Sequence, residues 1–313
     1  MVEIYRTDQQ VLNTLTDIQD GCWINMVDPT SKELEQIAER FEIEPEDISS
    51  ALDEEESSRI SLEDGYTVIL VDIPTPEVRH EKKMYTTIPL GIILKSEAII
   101  TVCKVDTPII NYFVRNKVKE FSTKKKMRFI YQMLFRSAFV YQANLRLIDK
   151  KRIEIEERVD GDTSDTDLIE LHELESTLVY FATSLRANSI VVERLSRYKR
   201  LEQYPEDMEL LEDVMVEYQQ AIEMTTIYRD VIDGTRELMS SVIDSKLNNV
   251  MKYLTSITIV MAIPTIISGI YGMNVGGEWM PFAKTPFGFE IISGIILLIC
   301  IIVLWVLRKK KML

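Results

Sequence analysis

Histidine and cysteine are scarce in this sequence. Two histidines (His80, His172) and three cysteines (Cys22, Cys103, Cys300) are spread over 313 residues, none close to another. A disulfide framework or a thiolate metal site needs cysteines at short, repeated spacing, so neither is expected. Their scarcity also removes an enzyme site built on soft-metal ligation. Positive charge is short as well: 36 Lys and Arg face 50 Asp and Glu, for a net charge of −14 and a pI ≈ 4.8. Nucleic acid is therefore not an expected partner, whereas an acidic mass concentrates cations near its surface. No Gly-rich phosphate loop, ATP-binding motif or nucleophile–base pair is found, so no enzyme is expected. Met1 to Arg6 runs straight into polar sequence without the basic and apolar regions of a signal peptide. Membrane insertion is expected to rely on segments further along.

Long apolar runs are also few, and both come late. Tyr253 to Tyr271 carries no charged side chain, about 19 residues and roughly the thickness of a bilayer core. A second run, Ile291 to Leu307, is followed at once by Arg308, Lys309, Lys310 and Lys311. Two spanning helices in a hairpin put both termini on one side, and the basic cluster makes that side cytoplasmic. The expected location is the inner or plasma membrane, with membrane lipids as partners and everything before about residue 250 in the cytosol. The basic cluster suits either a ring at the cytosolic mouth or an anchor at anionic headgroups.

The cytosolic part changes character along its length. Residues 1–120 mix short β-like runs with short helices. Cys22 to Val27 reads as a strand, and Ser31 to Phe41 as a helix capped by Thr30 or Ser31. Tyr66 to Pro74 is a β-branched strand ended by its proline, while Thr86 to Leu94 and Ala98 to Lys104 form another pair. After Thr107-Pro108 a helical period takes over. One helix runs from Lys125 to about Val159 and breaks at 160–164; a second repeats Leu171, Leu178, Leu185 and Val192 in heptads. A third, from about Glu206 to Tyr271, is interrupted only by Gly234, Pro264 and Gly269 and would reach roughly 100 Å. The expected fold class is an α+β membrane protein: a cytosolic α/β lobe (1–120), long antiparallel helices (121–205) and a stalk helix (206–250). The first spanning helix (251–273), an outer loop (274–290), the second spanning helix (291–307) and a basic tail (308–313) complete it.

Every seventh residue of the long helix forms one stripe: Glu223, Asp230, Glu237, Asp244, Met251, Thr258, Thr265 and Gly272. A companion row holds Asn248, Thr255, Ala262 and Gly269. The cytosolic half is acidic and the membrane half small or weakly polar, though the register fails at Val216. A bundle held together by burial would place Leu and Ile on such a seam. A water-filled path for cations shared by several copies would place these residues.

Tyr271-Gly272-Met273-Asn274, at the outer end of the first membrane helix, resembles the GMN signature of CorA-type magnesium transporters. The similarity extends to Asn248-Asn249-Val250-Met251-Lys252-Tyr253-Leu254-Thr255, to the acidic helix before the membrane and to the basic tail. The resemblance implies a homopentamer for inward flux of hydrated Mg²⁺, with Gly272, Met273 and Asn274 at the selective outer mouth. It implies a hydrophobic gate at Met251 and Leu254, and a polar entrance at Asn248. It also implies that cytosolic Mg²⁺, bound between neighbouring subunits at Asp213, holds the pore shut. The lobe-side partner of Asp213 is left between Asp72 and the Asp53-Glu54-Glu55-Glu56 run. The outer loop, Val275 to Phe282 with Glu278 its acid, departs from the family's commoner pattern toward the branch that includes zinc transporters. Co²⁺, Ni²⁺ or Zn²⁺ therefore stay open as substrates beside Mg²⁺. A two-helix membrane-anchored scaffold or sensor is the alternative from another class.

Overall fold

The structure, a computed structural model, describes the whole chain except Gln10, 80–81, Lys119, 159–164, 198–203, 275–279, 283–284, Lys311 and Leu313. The expected helix break at 160–164 and Glu278 lie outside the described residues. The chain divides into two compact units, Met1–Arg236 and Glu237–Leu313.

The first unit is built on a seven-stranded sheet. Its strands are β1 (Val2–Asp8), β2 (Val11–Leu15), β3 (Cys22–Val27), β4 (Arg59–Glu63), β5 (Tyr66–Arg79), β6 (Lys82–Lys95) and β7 (Ala98–Cys103). They lie in the order β2-β1-β3-β7-β6-β5-β4. Only β3 and β7 pair in parallel; the other neighbours are antiparallel. This parallel pair is the centre of the sheet, and its side chains are buried almost without exception. Burial on both faces is why these strands read as unbroken apolar runs.

One face of the sheet is covered by α1 (Ser31–Phe41), α2 (Pro45–Ser49) and a 3₁₀ turn (Ser50–Leu52). Ile24, Met26, Ile100 and Val102 meet Leu34, Ile37, Phe41 and Ile48 there. Thr30 caps α1, accepting from the Glu33 amide at 3.3 Å while Glu33 accepts from the Thr30 amide at 2.8 Å. Gly91 of β6 permits the close approach of the 3₁₀ turn, since a Cβ there would stand 2.6 Å from that of Ala51.

The other face carries α3 (Pro108–Val114), α4 (Lys126–Glu156) and α5 (Asp165–Arg197). Trp23 stacks edge-on to Phe129 with ring centroids 5.0 Å apart, and Phe113 and Phe121 join the group. The Trp23 indole donates to Thr101 Oγ1 at 2.8 Å, and Thr101 donates to Asn25 Oδ1 at 2.9 Å, so this buried chain of polar groups is satisfied.

Pro74 does not end β5, contrary to the sequence expectation: the strand continues through Pro74 and Pro76 to Arg79. β4 pairs with β5 only from Tyr66 to Leu70, so beyond that point one edge of β5 is free. A proline there leaves no ladder hydrogen bond unmade. Asp72 lies on the same alternation, and its open backbone edge is closed by Asn188 of α5. Asp72 N donates to Asn188 Oδ1 at 2.9 Å, and Asn188 Nδ2 donates to Asp72 O at 2.7 Å. The Tyr141 hydroxyl adds a bond to the same carbonyl at 3.1 Å.

Helix α6 (Pro205–Tyr271, 67 residues) runs through Gly234, Pro264 and Gly269 without ending. With Leu211 as heptad position a, its buried residues include Leu211, Val214, Tyr218, Ala221, Thr225, Ile232 and Thr235. All fall at a or d, the row that packs along other helices. The second unit holds the rest of α6 and α7 (Gly288–Lys309).

Asn188→Ala would strand the Asp72 N–H and leave the Asp72 carbonyl with the Tyr141 hydroxyl alone. The expected loss is about 2–3 kcal/mol, read as a lower apparent melting temperature of the detergent-solubilised chain with the fold retained.

Candidate functional site

After Arg236 α6 is mostly exposed, and its buried residues there, Met239 and Ser256, fall at a and d. Ser256, at d and fully buried, donates to the Met312 carbonyl at 3.1 Å. Pro264 has no N–H for the Val260 carbonyl one turn earlier. Cys300 of α7 points its thiol at that carbonyl from 3.9 Å, the partial replacement a membrane helix needs. At the far end the Tyr271 hydroxyl donates to the Pro281 carbonyl at 2.9 Å, tying the helix terminus to the connecting segment. None of these three contacts was signalled by sequence pattern, because each is a single polar pair between separate stretches.

The stripe of the sequence analysis occupies heptad position f, with its companion row at c. Both face away from a and d. Glu223, Asp230, Glu237, Asp244, Met251, Thr258, Thr265 and Gly272 are all exposed, as is Asn248; Ala262 is half-buried. Val216, where the register of the stripe fails, is also an f residue and is 63% exposed. The chain thus leaves the whole row uncovered. The hydroxyls of Thr258 and Thr265 bond back to Leu254 O at 2.8 Å and Met261 O at 2.9 Å, which satisfies their protons within the helix and leaves lone pairs outward. Met251 and Leu254 expose 52% and 58% of their surface.

At the GMN end, Gly272 N still bonds to Ser268 O at 2.9 Å, and Met273 N tightens to Ile270 O at 3.3 Å. Asn274 follows, exposed and beyond the helix. A Cβ on Gly272 would lie 3.2 Å from the Ser268 carbonyl, so the glycine relieves crowding at the helix end and keeps its surroundings open. Arg308, Lys309 and Lys310 are exposed at the end of α7, with Lys309 Nζ 5.3 Å from the Trp305 ring centre; Lys311 lies outside the described residues.

Asp72 and Asp213 are placed differently. Asp213 is exposed on α6. Asp72 is half-buried beneath α5, and burial raises its carboxyl above the ordinary range while the Ser184 and Ser58 hydroxyls pull it back. No hydrogen bond or ion pair joins the two carboxylates among the described residues. Nor do three or more His, Cys, Asp or Glu side chains gather into a metal cluster there. Of the Asp53 to Glu56 run, Glu54 is paired with Lys104 at 2.8 Å and Glu56 with Arg59.

Among the described residues two helices are long and apolar enough to cross a membrane, and only 6% of each apolar stretch is buried within the chain. A core helix of a soluble domain would be covered. Comparison with known proteins decides the family. The model of the CorA-like Mg²⁺ transporter protein family matches residues 19–309. The chain belongs to that family. It is a membrane transporter of divalent cations, not an enzyme. A Methanocaldococcus jannaschii protein named cobalt/magnesium transport protein CorA is 28% identical over 292 residues, spanning 92% of this chain and 90% of its own length. The protein of that name from Thermotoga maritima is 22% identical, over 99% and 88% of the two chains. The complete structure of the CorA magnesium transporter from Methanocaldococcus jannaschii superposes with a TM-score of 0.86 at 26% identity, over 100% of this chain and 99% of the other. The α/β lobe, long helix and apolar C-terminal pair of this CorA-family chain are those of that structure.

A carboxyl with a raised folded-state pKa holds its proton more tightly folded than unfolded. Its favourable contribution is complete below the unfolded value and is lost as pH rises through the folded one. Asp72→Asn in EDTA is therefore expected to raise the apparent melting temperature at neutral pH. The gain should fade as pH falls toward ~4, in melts across a pH series.

Proposed function

We propose that several copies of this chain, five by family resemblance, assemble about an axis lined by the f and c rows of α6. The uncovered stripe, passing along one face of α6 from carboxylates to small and weakly polar side chains, is the observation that carries this reading. In this assignment residues 251–273 and 291–307 cross the membrane, residues 274–290 form the outer loop, and both termini are cytoplasmic. Residues 1–120, 121–205 and 206–250 are the lobe, the antiparallel helices and the stalk.

The chemistry follows from the ion. Mg²⁺ gives up water reluctantly and is bound with several waters retained. Asn274 side chains and Gly272 carbonyls, repeated around the axis with Met273 between them, accept hydrogen bonds from those waters rather than replacing them. Thr258, Ala262 and Thr265 give a narrow path of modest polarity. Rings of Met251 and Leu254 close it by excluding water, without a moving plug. Asn248 receives the hydrated ion at the cytosolic end, and Glu223, Asp230, Glu237 and Asp244 hold cations in the funnel beyond. Inside-negative potential supplies about 4.6 kcal/mol per 100 mV for a divalent ion. Arg308 to Lys311 stand at the cytosolic membrane surface.

Cytosolic Mg²⁺ regulates the pore in this scheme, bridging Asp213 of one subunit and Asp72 of the next. Burial that disfavours the Asp72 carboxylate in the isolated chain is offset when a cation stands beside it, so occupancy biases one assembly over another. The names of the two relatives support Co²⁺ as a second substrate, carried as a hydrated ion; an all-oxygen pathway favours Mg²⁺ over Ni²⁺ or Zn²⁺.

Mg²⁺ flux into liposomes tests the mouth. Asn274→Ala removes one acceptor per subunit, each worth about 0.5–1.5 kcal/mol, so flux should fall by an order of magnitude or more. Unchanged flux would dispose of the assignment. Met251→Asp should instead wet the constriction and give Mg²⁺ leak at cytosolic Mg²⁺ levels that silence the unmodified channel; a silent variant would argue against the gate.

A further inference from the structure

One arginine of the first unit is set among aromatic rings instead of carboxylates. Arg128 pairs with Asp207 and Glu120, and Arg152 with Asp149 and Glu156. Arg136, on the same helix α4, forms no ion pair or hydrogen bond among the described residues. Its guanidinium carbon stands 4.2 Å from the Tyr112 ring centre and 5.4 Å from that of Phe139. Its Nε is buried without a partner, and so is Oε1 of Gln132 one turn earlier. A buried polar group of this kind without a partner is costly.

Arg136 lines two neighbouring cavities. A cavity of ≈ 420 Å³ is lined by Phe113, Lys117, Phe135 and Leu210 together with Tyr112 and Arg136. A second, of ≈ 290 Å³, shares Tyr112, Lys117 and Arg136 and adds Arg115 and Asn111. Three cations therefore converge on one aromatic-walled cleft. The carboxylate of Asp106, beside it, is taken by the Asn111 amide at 2.8 Å.

We propose that this cleft between α3, α4 and the first turns of α6 binds a nucleoside phosphate. Stacking on Tyr112 fixes the guanidinium plane and leaves its edge donors for a bidentate bond to a phosphate. Lys117 and Arg115 supply the remaining positive charge. The rings of Tyr112 and Phe139 and the apolar floor of Phe135 and Leu210 suit a flat base, with the Gln132 side chain on the same wall. The volume is that of a small-molecule site. An inorganic anion alone would use the cations and leave the aromatic walls and Gln132 unmatched. Leu210 makes the ligand a direct neighbour of α6, the helix that carries the stripe.

Calorimetric titration of the full detergent-solubilised chain with AMP, adenosine and inorganic phosphate tests the proposal. AMP is expected to bind about tenfold or more tightly than either fragment, since both halves of the site contribute. Arg136→Gln should weaken AMP binding by about tenfold or more, and Lys117→Gln, at the exposed mouth, by a smaller factor at unchanged melting temperature. AMP binding no tighter than phosphate would overturn the nucleoside, and equal affinity in Arg136→Gln would overturn the site. Absence of binding, with Arg136→Gln instead dissociating the oligomer, would show that a second copy covers the cleft and would overturn the proposal as well.

Discussion

A helix as long as α6 can bury only one side of itself, because the apolar stripe that meets a neighbour is about three residues in seven. In the first unit the a and d rows take that role. Up to Thr235 they carry Leu211, Val214, Tyr218 and Ala221 against the first unit. From Ser256 onward they carry the residues that α7 and the C-terminal stretch touch. The f and c rows carry no buried residue from Asp213 to Gly272. From Glu223 onward the stripe is a strip of carboxylates, hydroxyls and small residues that the chain itself leaves uncovered.

The polar contacts of α6 in the first unit go to α4 and α5, which the sheet in turn carries. Parallel pairing of β3 and β7 at the middle of the sheet fixes a core covered on both faces. The helices on the second face are then seated by aromatic contacts around Trp23 and by polar clamps rather than by apolar packing alone. Asn188 is the clearest of these, an amide in an apolar heptad row that substitutes for a missing strand at the free edge of β5. Buried polar groups of this sort specify one arrangement because any shift leaves them unpaired. Gln142 does the same for α6, its Nε2 donating to the Glu217 backbone carbonyl at 3.2 Å and to the Glu217 carboxylate at 2.6 Å.

Much of this was legible beforehand. Cys22–Val27 and Ser31–Phe41 are found at the expected bounds, since an unbroken apolar run and a capping box are local signals. The long helices follow from heptads that persist for many turns. Strands β1, β2 and β4 were not foreseen: their alternation is diluted by polar residues such as Glu3, Arg6 and Asn13, and their partners supply the order. Pro74 misled because a proline forbids a strand only where its missing N–H faces a neighbour. The stripe was legible as a period, but only the structure shows that its residues are uncovered. Asp72 and Asp213 could be nominated from sequence, and among the described residues no hydrogen bond or ion pair joins them.

By itself the sequence determined the class of protein. The charge balance, the two apolar runs, the basic cluster after them and the heptads of α6 are all written in residue type and spacing, which local physical chemistry reads directly. The tertiary structure alone decided which side of each helix is spent. It showed a and d of α6 buried within the first unit and f and c free, the free edge of β5 closed by Asn188, and Arg136 set against two aromatic rings with no carboxylate on it among the described residues. Those outcomes depend on residues far apart in the chain coming within a few ångströms, and no local window of sequence carries that distance.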